Sequence, residues 1–217
     1  MTIGMNELKI PFLPDTVFND AITELNGIFL NYNPVSLGYE PWPLPGDKPV
    51  VGFVMAYGDD AIYLKFNVKE KYFRAEYTKP NDPVYKDSCV EFFIGFDNDD
   101  TYYNFEFNGL GTPYAAYGSP GKRELLDVSL IKDIKISAAN HTVQDDDLPF
   151  SWELTLAIPF NLFYRHSITT LKDKVCQANF YKCGDELPEP HFFCWNNVTT
   201  PKPNFHQPEY FGKLIFE

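Results

Sequence analysis

Apolar side chains recur at every second residue along most apolar stretches of this chain. Within residues 62–68, isoleucine, leucine, phenylalanine and valine alternate with tyrosine, lysine and asparagine. The same period governs residues 90–96, 103–108 and 152–158, with shorter runs at 134–138, 176–180 and 212–216. A period of two is typical of a β-strand with one buried face, whereas a helix repeats about every 3.6 residues. The pattern therefore predicts a β protein and excludes a helical bundle.

Residue types and turns indicate that these strands run antiparallel. The 20 Phe, 14 Tyr and 3 Trp make up 17% of the chain, and aromatic residues favour pleated, half-buried surfaces. Turn-forming residues separate the runs at 97–100, 118–121 and 145–147. Short strands with one apolar face, joined by such turns, predict an all-β fold. We expect an antiparallel β-sandwich of the immunoglobulin-like or jelly-roll-like kind.

Helix is predicted only as one or two short turns. Asp15 or Thr16 is a suitable cap for a helix that carries Leu25 on its apolar side, and residues 159–162 suit a single turn after a strand. No repeat, low-complexity tract or glycine- and serine-rich linker divides the sequence. Residues 1–217 are therefore expected to form a single domain.

The charge of the chain bears on its partners. It has 18 Lys and Arg against 30 Asp and Glu, a net charge of −12, and it lacks the basic patch that provides most nucleic-acid affinity. No stretch reaches the roughly 20 apolar residues of a membrane span, and the first 15 residues lack the apolar core of a signal peptide. We expect neither nucleic acid nor membrane as a partner, and a cytoplasmic location unless a leader has been removed.

The sequence gives little indication of a metal site or a disulfide bond. The cysteines (Cys89, Cys176, Cys183 and Cys194) show no C-x-x-C spacing, so buried free thiols are favoured over a bond between Cys176 and Cys183. The acidic turn at 97–100 offers oxygens for calcium but lacks EF-hand spacing, so a plain turn is favoured. A chain of this length buries enough surface to fold unaided. We expect no required cofactor, and the sequence leaves metal ligands undetermined.

Three segments contain more polar side chains than packing requires: residues 83–91, 103–111 and 195–208. The first two supply Glu91, Glu106 and Asn108 to the polar sides of predicted strands. Their neighbouring loops supply Tyr85 and Phe205. If the strands are neighbours, these residues form a polar floor between two aromatic walls.

Such a site suits a neutral sugar. Carboxylates and amides bind hydroxyl groups, and the C–H face of a sugar ring packs on an aromatic plane. The plainer interpretation is that the polar side of an antiparallel sheet is its solvated outside. In that case Tyr85 and Phe205 are packing residues.

Two further function classes stay open. A glycoside hydrolase needs two carboxyl groups flanking the scissile bond, and Glu91, Glu106, Asp87 and Glu153 are available. No nucleophile elbow, phosphate loop or zinc motif is present, so the sequence favours a protein that is not an enzyme without deciding the question. The third class is a protein-interaction module whose aromatic residues hold a peptide.

Six sequence blocks resemble those of carbohydrate-binding module family 9, in the same order. Residues 85–94, YKDSCVEFFI, resemble the family's W-x-x-D-S-V-E-x-F-I block. The other matching blocks are residues 103–108, 151–159, 179–181 and 195, and the P-x-x-F-G ending at 208–212. The similarity spans residues 45–217, while residues 1–44 are less like the family. Residues 179–185 resemble family-9-like proteins of Bacteroidetes.

The resemblance implies non-catalytic binding of a mono- or oligosaccharide, held as a ring or chain end between two aromatic residues. By motif position these aromatic residues are Tyr85 and Phe205, where the well-known members have tryptophan. Glu91 and Asn108 match the family's acidic and amide residues, whereas Glu106 stands where a basic donor is expected. This departure leaves two alternatives, an altered specificity or a loss of binding. The family often carries structural calcium, but the N-terminal segment departs from its opening.

Overall fold

The computed structural model describes residues 5–14, 21–97, 99–142 and 147–217. These residues form thirteen strands, two short α-helices and four 3-10 turns. The strands are β1 (Glu7–Ile10), β2 (Val35–Ser36), β3 (Val50–Tyr57), β4 (Ala61–Glu70), β5 (Cys89–Gly95), β6 (Tyr102–Asn108), β7 (Pro113–Ser119), β8 (Lys122–Leu125), β9 (Lys135–Thr142), β10 (Phe150–Pro159), β11 (Val175–Cys183), β12 (Phe192–Cys194) and β13 (Gly212–Phe216). The helices are α1 (Ala21–Ile28) and α2 (Val128–Ile131), and the 3-10 turns are Phe29–Asn31, Val84–Lys86, Phe160–Phe163 and Pro208–Tyr210.

The strands form two sheets. The large sheet has the order β1-β13-β11-β5-β6-β7-β8, with β12 also paired to β11, and the small sheet has the order β2-β3-β4-β10-β9. Among these strands, β1 and β13 pair in parallel and the other neighbours pair antiparallel. The predicted antiparallel β-sandwich is confirmed.

The main core lies between the two sheets and follows the alternation seen in the sequence. It takes the apolar side chains of β4, β5, β6 and β10 from their inner faces. At its centre Phe53 of the small sheet stacks on Phe180 of the large sheet, with ring centroids 3.8 Å apart. Because successive side chains of a strand point to opposite faces, the polar residues between these positions face outward.

Helix α1 covers part of the outer face of the small sheet. Leu25 is buried there, together with Val54 and Tyr63. The proposed cap residues, Asp15 and Thr16, lie outside the described residues, but the predicted helix contains Leu25 as expected. The turn expected at 159–162 is the 3-10 turn Phe160–Phe163. No described helix has the length and apolar character required to cross a membrane.

A buried ion pair joins the two sheets. Lys182 of β11 lies 2.8 Å from a carboxylate oxygen of Glu70 on β4. The indole N–H of Trp152 donates to the other oxygen of Glu70 at 2.6 Å. Lys182 also lies 2.8 Å from Nε2 of His191. Burial and the Lys182 charge lower the pKa of His191 to about 2, so its neutral ring accepts from the ammonium.

The outer face of the large sheet is covered by loops and is not a solvated surface. A second apolar cluster lies on it, in which Phe93 and Tyr181 of the sheet pack against Val84, Phe205 and Phe211. The loop containing Val84 precedes β5, and the one containing Phe205 precedes β13. The loops leave an opening between them, and the candidate site lies there.

Candidate functional site

A pocket of about 430 Å³ opens on the covered face of the large sheet. Its floor comes from the neighbouring strands β11, β5, β6, β7 and β8, and its walls come from the loops. It is lined by Tyr85, Glu91, Glu106, Tyr114, Arg123, Cys183, Asp185, Phe192, Pro203, Asn204, Phe205 and His206. Four of the five residues expected at the site are in this set.

The floor consists of two buried carboxyl groups on adjacent strands. Glu91 and Glu106 are directly opposite each other in the register of β5 and β6, and each is only 4% exposed. The thiol of Cys183 donates to Oε1 of Glu91 at 3.1 Å. The side-chain amide of Asn104 donates to Oε1 of Glu106 at 2.9 Å. The other oxygen of Glu106, Oε2, is buried and has no hydrogen-bond partner among the described residues.

Burial and mutual repulsion make these acids weak. Burial raises the pKa of Glu106 to about 7, against the charge of Arg123, which lowers it. Burial and the neighbouring Glu106 raise the pKa of Glu91 well above its usual range. Partial burial raises the pKa of Asp185, at the rim, to about 6. The floor therefore holds acids that are incompletely ionised near neutral pH.

Arg123 brings a positive charge to the floor from the edge strand β8. Its Nη1 donates to Oδ1 of Asn104 at 3.1 Å, so it reaches Glu106 through that amide. A tight hairpin places it there, in which Gly118 has a φ of +142° and a Cβ would lie 2.3 Å from the carbonyl oxygen of Lys122. Arg123 could not be predicted from the sequence, since a four-residue strand that is mostly exposed carries no strong periodicity.

Among the other lining residues that the sequence did not predict are the titratable residues Tyr114, Asp185 and His206. Tyr114 lies on β7 opposite Glu106, Asp185 follows β11, and His206 lies in the long loop before β13. Nδ1 of His206 is 2.9 Å from the hydroxyl of Tyr102. Burial, with a smaller effect of Arg123, lowers the pKa of His206 to about 3, so its ring is neutral at neutral pH. One signal was present, because His206 adjoins the predicted wall residue Phe205.

The two expected aromatic walls differ in accessibility. Tyr85 lies in the 3-10 turn Val84–Lys86 and is 39% exposed. Phe205 is 8% exposed and stacks on Tyr181, with ring centroids 4.1 Å apart. It also contacts Trp42 and Phe192. Tyr85 therefore offers a free ring face, whereas Phe205 offers only a small part of its surface to the pocket.

Asn108 is not brought to the pocket. It is fully buried, and its amide nitrogen donates to Tyr77 O at 2.8 Å and to Oδ2 of Asp87 at 2.9 Å. Its amide oxygen accepts from the backbone N–H of Thr112 at 3.0 Å. These bonds occupy both ends of the amide, so Asn108 supports the loops that surround the site.

Asp87 is the centre of that support. Its Oδ2 accepts from the backbone N–H groups of Glu76 and Tyr77 at 3.0 and 3.1 Å, and its Oδ1 from Nη1 of Arg74 at 2.9 Å. The carboxylate thereby ties the segment around Tyr77 to the start of β5, next to Tyr85.

The donor atoms near the floor do not fit calcium. Among the described residues, Cys89, Glu91 and Cys183 are the group whose ligand atoms lie within 4.8 Å of one another. Calcium prefers oxygen ligands, and two of these three atoms are sulfur. In the acidic turn, Oδ1 of Asp99 accepts from the backbone and hydroxyl of Thr101 at 2.8 and 2.7 Å, as in an ordinary turn. Asn98 of that turn lies outside the described residues.

Comparison with known proteins finds one family profile and several solved structures that resemble this chain. The sequence matches the profile of carbohydrate-binding family 9 over residues 30–216. A protein from Bacteroides uniformis, provisionally classed as carbohydrate-binding, is 31% identical with a TM-score of 0.85, over 99% of this chain and 100% of its own. A family 9 module from Caldicellulosiruptor kristjanssonii bound to glucose has a TM-score of 0.61 at 11% identity, over 98% of this chain and 96% of its own. Its complex with cellotriose has a TM-score of 0.61 at 12% identity, over 98% and 94%. A search of curated protein sequences with this chain found no match.

Proposed function

Because the chain belongs to carbohydrate-binding family 9, we propose that it binds a mono- or oligosaccharide, without cleaving it, in the pocket above Glu91 and Glu106. The observation that carries the proposal is the combination of an exposed tyrosine face with buried carboxyl groups and a guanidinium in one pocket. Aromatic rings pack on the C–H face of a sugar, and these polar groups match its hydroxyls. The family 9 module from Caldicellulosiruptor kristjanssonii, of the same fold, forms complexes with glucose and with cellotriose.

Each residue then has a distinct role. Tyr85 provides the stacking face, and Phe205 closes the opposite wall with its exposed edge. Glu91 and Glu106 accept hydrogen bonds from hydroxyls, while Arg123 donates them. Arg123 on β8, two strands away from Glu106 on β6, thus provides the basic donor that the family has at the position of Glu106. Asn108 acts indirectly, because it holds the loop that carries Tyr85.

One observation favours a glycoside hydrolase as the second candidate. A buried carboxyl group whose pKa is about 7 suits a general acid. The placement of the two acids argues against it. Glu91 and Glu106 are neighbours on adjacent strands of one floor, whereas cleavage requires carboxyl groups on both sides of the scissile bond.

The test is calorimetric titration of the protein with a panel of neutral and charged mono- and oligosaccharides, alongside an assay for release of reducing sugar. We expect saturable binding without release. The Tyr85→Ala variant should bind the same sugar at least about fivefold more weakly, the loss expected for one aromatic contact. Tyr164→Ala, which removes a similarly exposed tyrosine outside the pocket, is the matched control. Release of reducing sugar would favour the hydrolase, and absence of binding to every sugar would contradict both candidates.

A further inference from the structure

The charged groups that line the pocket are unbalanced. Among the described lining residues, Glu91, Glu106 and Asp185 carry acids, and Arg123 carries the opposing cation. His206 adds no positive charge at neutral pH because its pKa is lowered to about 3. A ligand that brings a positive charge would correct this imbalance.

The floor also holds an acceptor without a donor. Oε2 of Glu106 is buried and has no hydrogen-bond partner among the described residues, although the side chain lines the pocket. A buried carboxylate oxygen without a partner is costly. Arg123 does not supply the missing bond, since its Nη1 donates to Oδ1 of Asn104 instead. A donor from a ligand fits this position.

We propose that the pocket selects sugars that carry a protonated amine, such as hexosamines with a free amino group, over neutral sugars of the same shape. This inference rests on the proposed function, because it names the ligand class of the same site. An ammonium group has three N–H donors and a positive charge. One such group above Glu91 and Glu106 supplies the missing donor and lets both acids ionise. A hydroxyl supplies one donor and no charge.

The proposal predicts a linked release of protons. Besides Glu106, the titratable groups that line the pocket come from four strands and from the loops. They are Glu91 on β5, Tyr114 on β7, Arg123 on β8, Cys183 and Asp185 at the end of β11, and Tyr85 and His206 in the loops. Of these, the acids are the groups that gain charge when a cation binds. Near pH 6.5 a bound ammonium should therefore expel a fraction of a proton from the floor, whereas a neutral sugar should not.

The experiment compares glucosamine and galactosamine with glucose, galactose and N-acetylglucosamine by calorimetry of the intact protein. We expect at least one amine sugar to bind about tenfold or more tightly than its neutral counterpart, the gain expected from a charge-assisted hydrogen bond. N-acetylglucosamine keeps the nitrogen without its charge and should lose this gain. Titrations in two buffers of different ionisation heat should detect proton release only with the amine sugars.

Variants in which an acid is replaced by its amide distinguish an effect of charge on sugar binding from an effect of shape. Glu106→Gln should reduce the ratio of amine-sugar affinity to neutral-sugar affinity to about one, because it removes the buried charge that the ammonium would face. Asp185→Asn, at an exposed position where the fold is not at risk, should reduce the same preference. Glu186→Gln removes an adjacent acid that does not line the pocket and is the matched control. If neutral sugars bind as tightly as the amine sugars, the inference is wrong while the proposed function stands. If no sugar of either kind binds, both are wrong.

Discussion

Asp87 stabilises the aromatic loop of the pocket although it never reaches the pocket itself. It is fully buried and accepts hydrogen bonds from two backbone N–H groups, from Asn108 and from Arg74. Its partners come from two separate segments of the chain, residues 74–77 and Asn108. A single carboxylate therefore fixes the position of residues that are distant in sequence.

Replacing Asp87 tests that role. We expect Asp87→Asn to lower the free energy of unfolding by about 3 kcal/mol or more, because Arg74 loses its buried partner and the amide cannot accept at both ends. Urea denaturation measures the change. Glu76→Gln removes an exposed partner of the same arginine and should cost less than about 1 kcal/mol. Equal costs for the two variants would contradict the assignment.

The pH dependence of stability should reveal the buried acid of the floor. The pKa of Glu106 in the folded protein is about 7, above its usual value of 4.5, so the folded state binds more protons than the unfolded state between these values. Stability therefore falls as pH rises through that window. Urea denaturation of wild type and Glu106→Gln from pH 4.5 to 7.5 measures this effect together with the accompanying change at Glu91, whose pKa Glu106 raises. A stability difference that does not change with pH would show that Glu106 titrates normally.

The two aromatic walls should respond differently to truncation. Tyr85→Ala removes an exposed ring and should weaken sugar binding by about 1 kcal/mol, with little change in the free energy of unfolding. Phe205→Ala also empties a space between Tyr181, Trp42 and Phe192, so it should lower stability by about 3 kcal/mol. Calorimetry and urea denaturation of both variants separate binding from folding. Unchanged sugar affinity in both variants would place the ligand elsewhere.

At the scale of strands and helices, the sequence predicted those strands whose apolar and polar side chains alternate clearly along the chain. Strands β4, β5, β6 and β10 have one face in the main core, so their alternation is strong. Strand β8 is short and exposed, so neither it nor Arg123 could be recognised. The sequence also could not predict that loops cover the outer face of the large sheet, because these loops are distant in sequence from the strands that they cover. Tyr85, Glu91, Glu106 and Phe205 were found because each lies in a motif, and their contact with a sugar stays a prediction.

The ion pair between β4 and β11 is the clearest polar link between the sheets. Lys182→Met should lower the free energy of unfolding by about 3–5 kcal/mol, because it leaves the Glu70 carboxylate buried without its cation. Adding Glu70→Gln to that variant should recover part of the loss. Urea denaturation of the two single variants and the double variant gives the coupling energy. Strict additivity would mean that the two charges do not stabilise each other.

For the whole molecule, the net charge and the acids of the pocket both favour a cationic ligand. A chain with a net charge of −12 attracts cations over its surface, and the pocket concentrates acids at one place. The same negative field disfavours phosphorylated and sulfated ligands. The preference for an amine inferred for the site is therefore favoured by the molecule as a whole.

Folding should depend on neither metal nor disulfide. All four cysteines are free and buried, and the main core is built from apolar side chains of both sheets. We expect the cooperative thermal transition to persist, with its midpoint within about 2 °C, after treatment with a chelator or a thiol reductant. Differential scanning calorimetry before and after each treatment is the measurement. Loss of the transition with chelator alone would reveal a structural metal.

The parallel pairing of β1 with β13 constrains the order of folding. Glu7 is the register partner of Lys213, so the sheet partner of the first described strand is the last one. During synthesis, residues 7–10 must wait, without their sheet partners, until residue 213 has left the ribosome. Contacts between such distant residues slow folding, because the intervening chain must be ordered first. The edge of the large sheet is therefore completed last, after β5 and β6 have had time to pair and form the floor of the pocket.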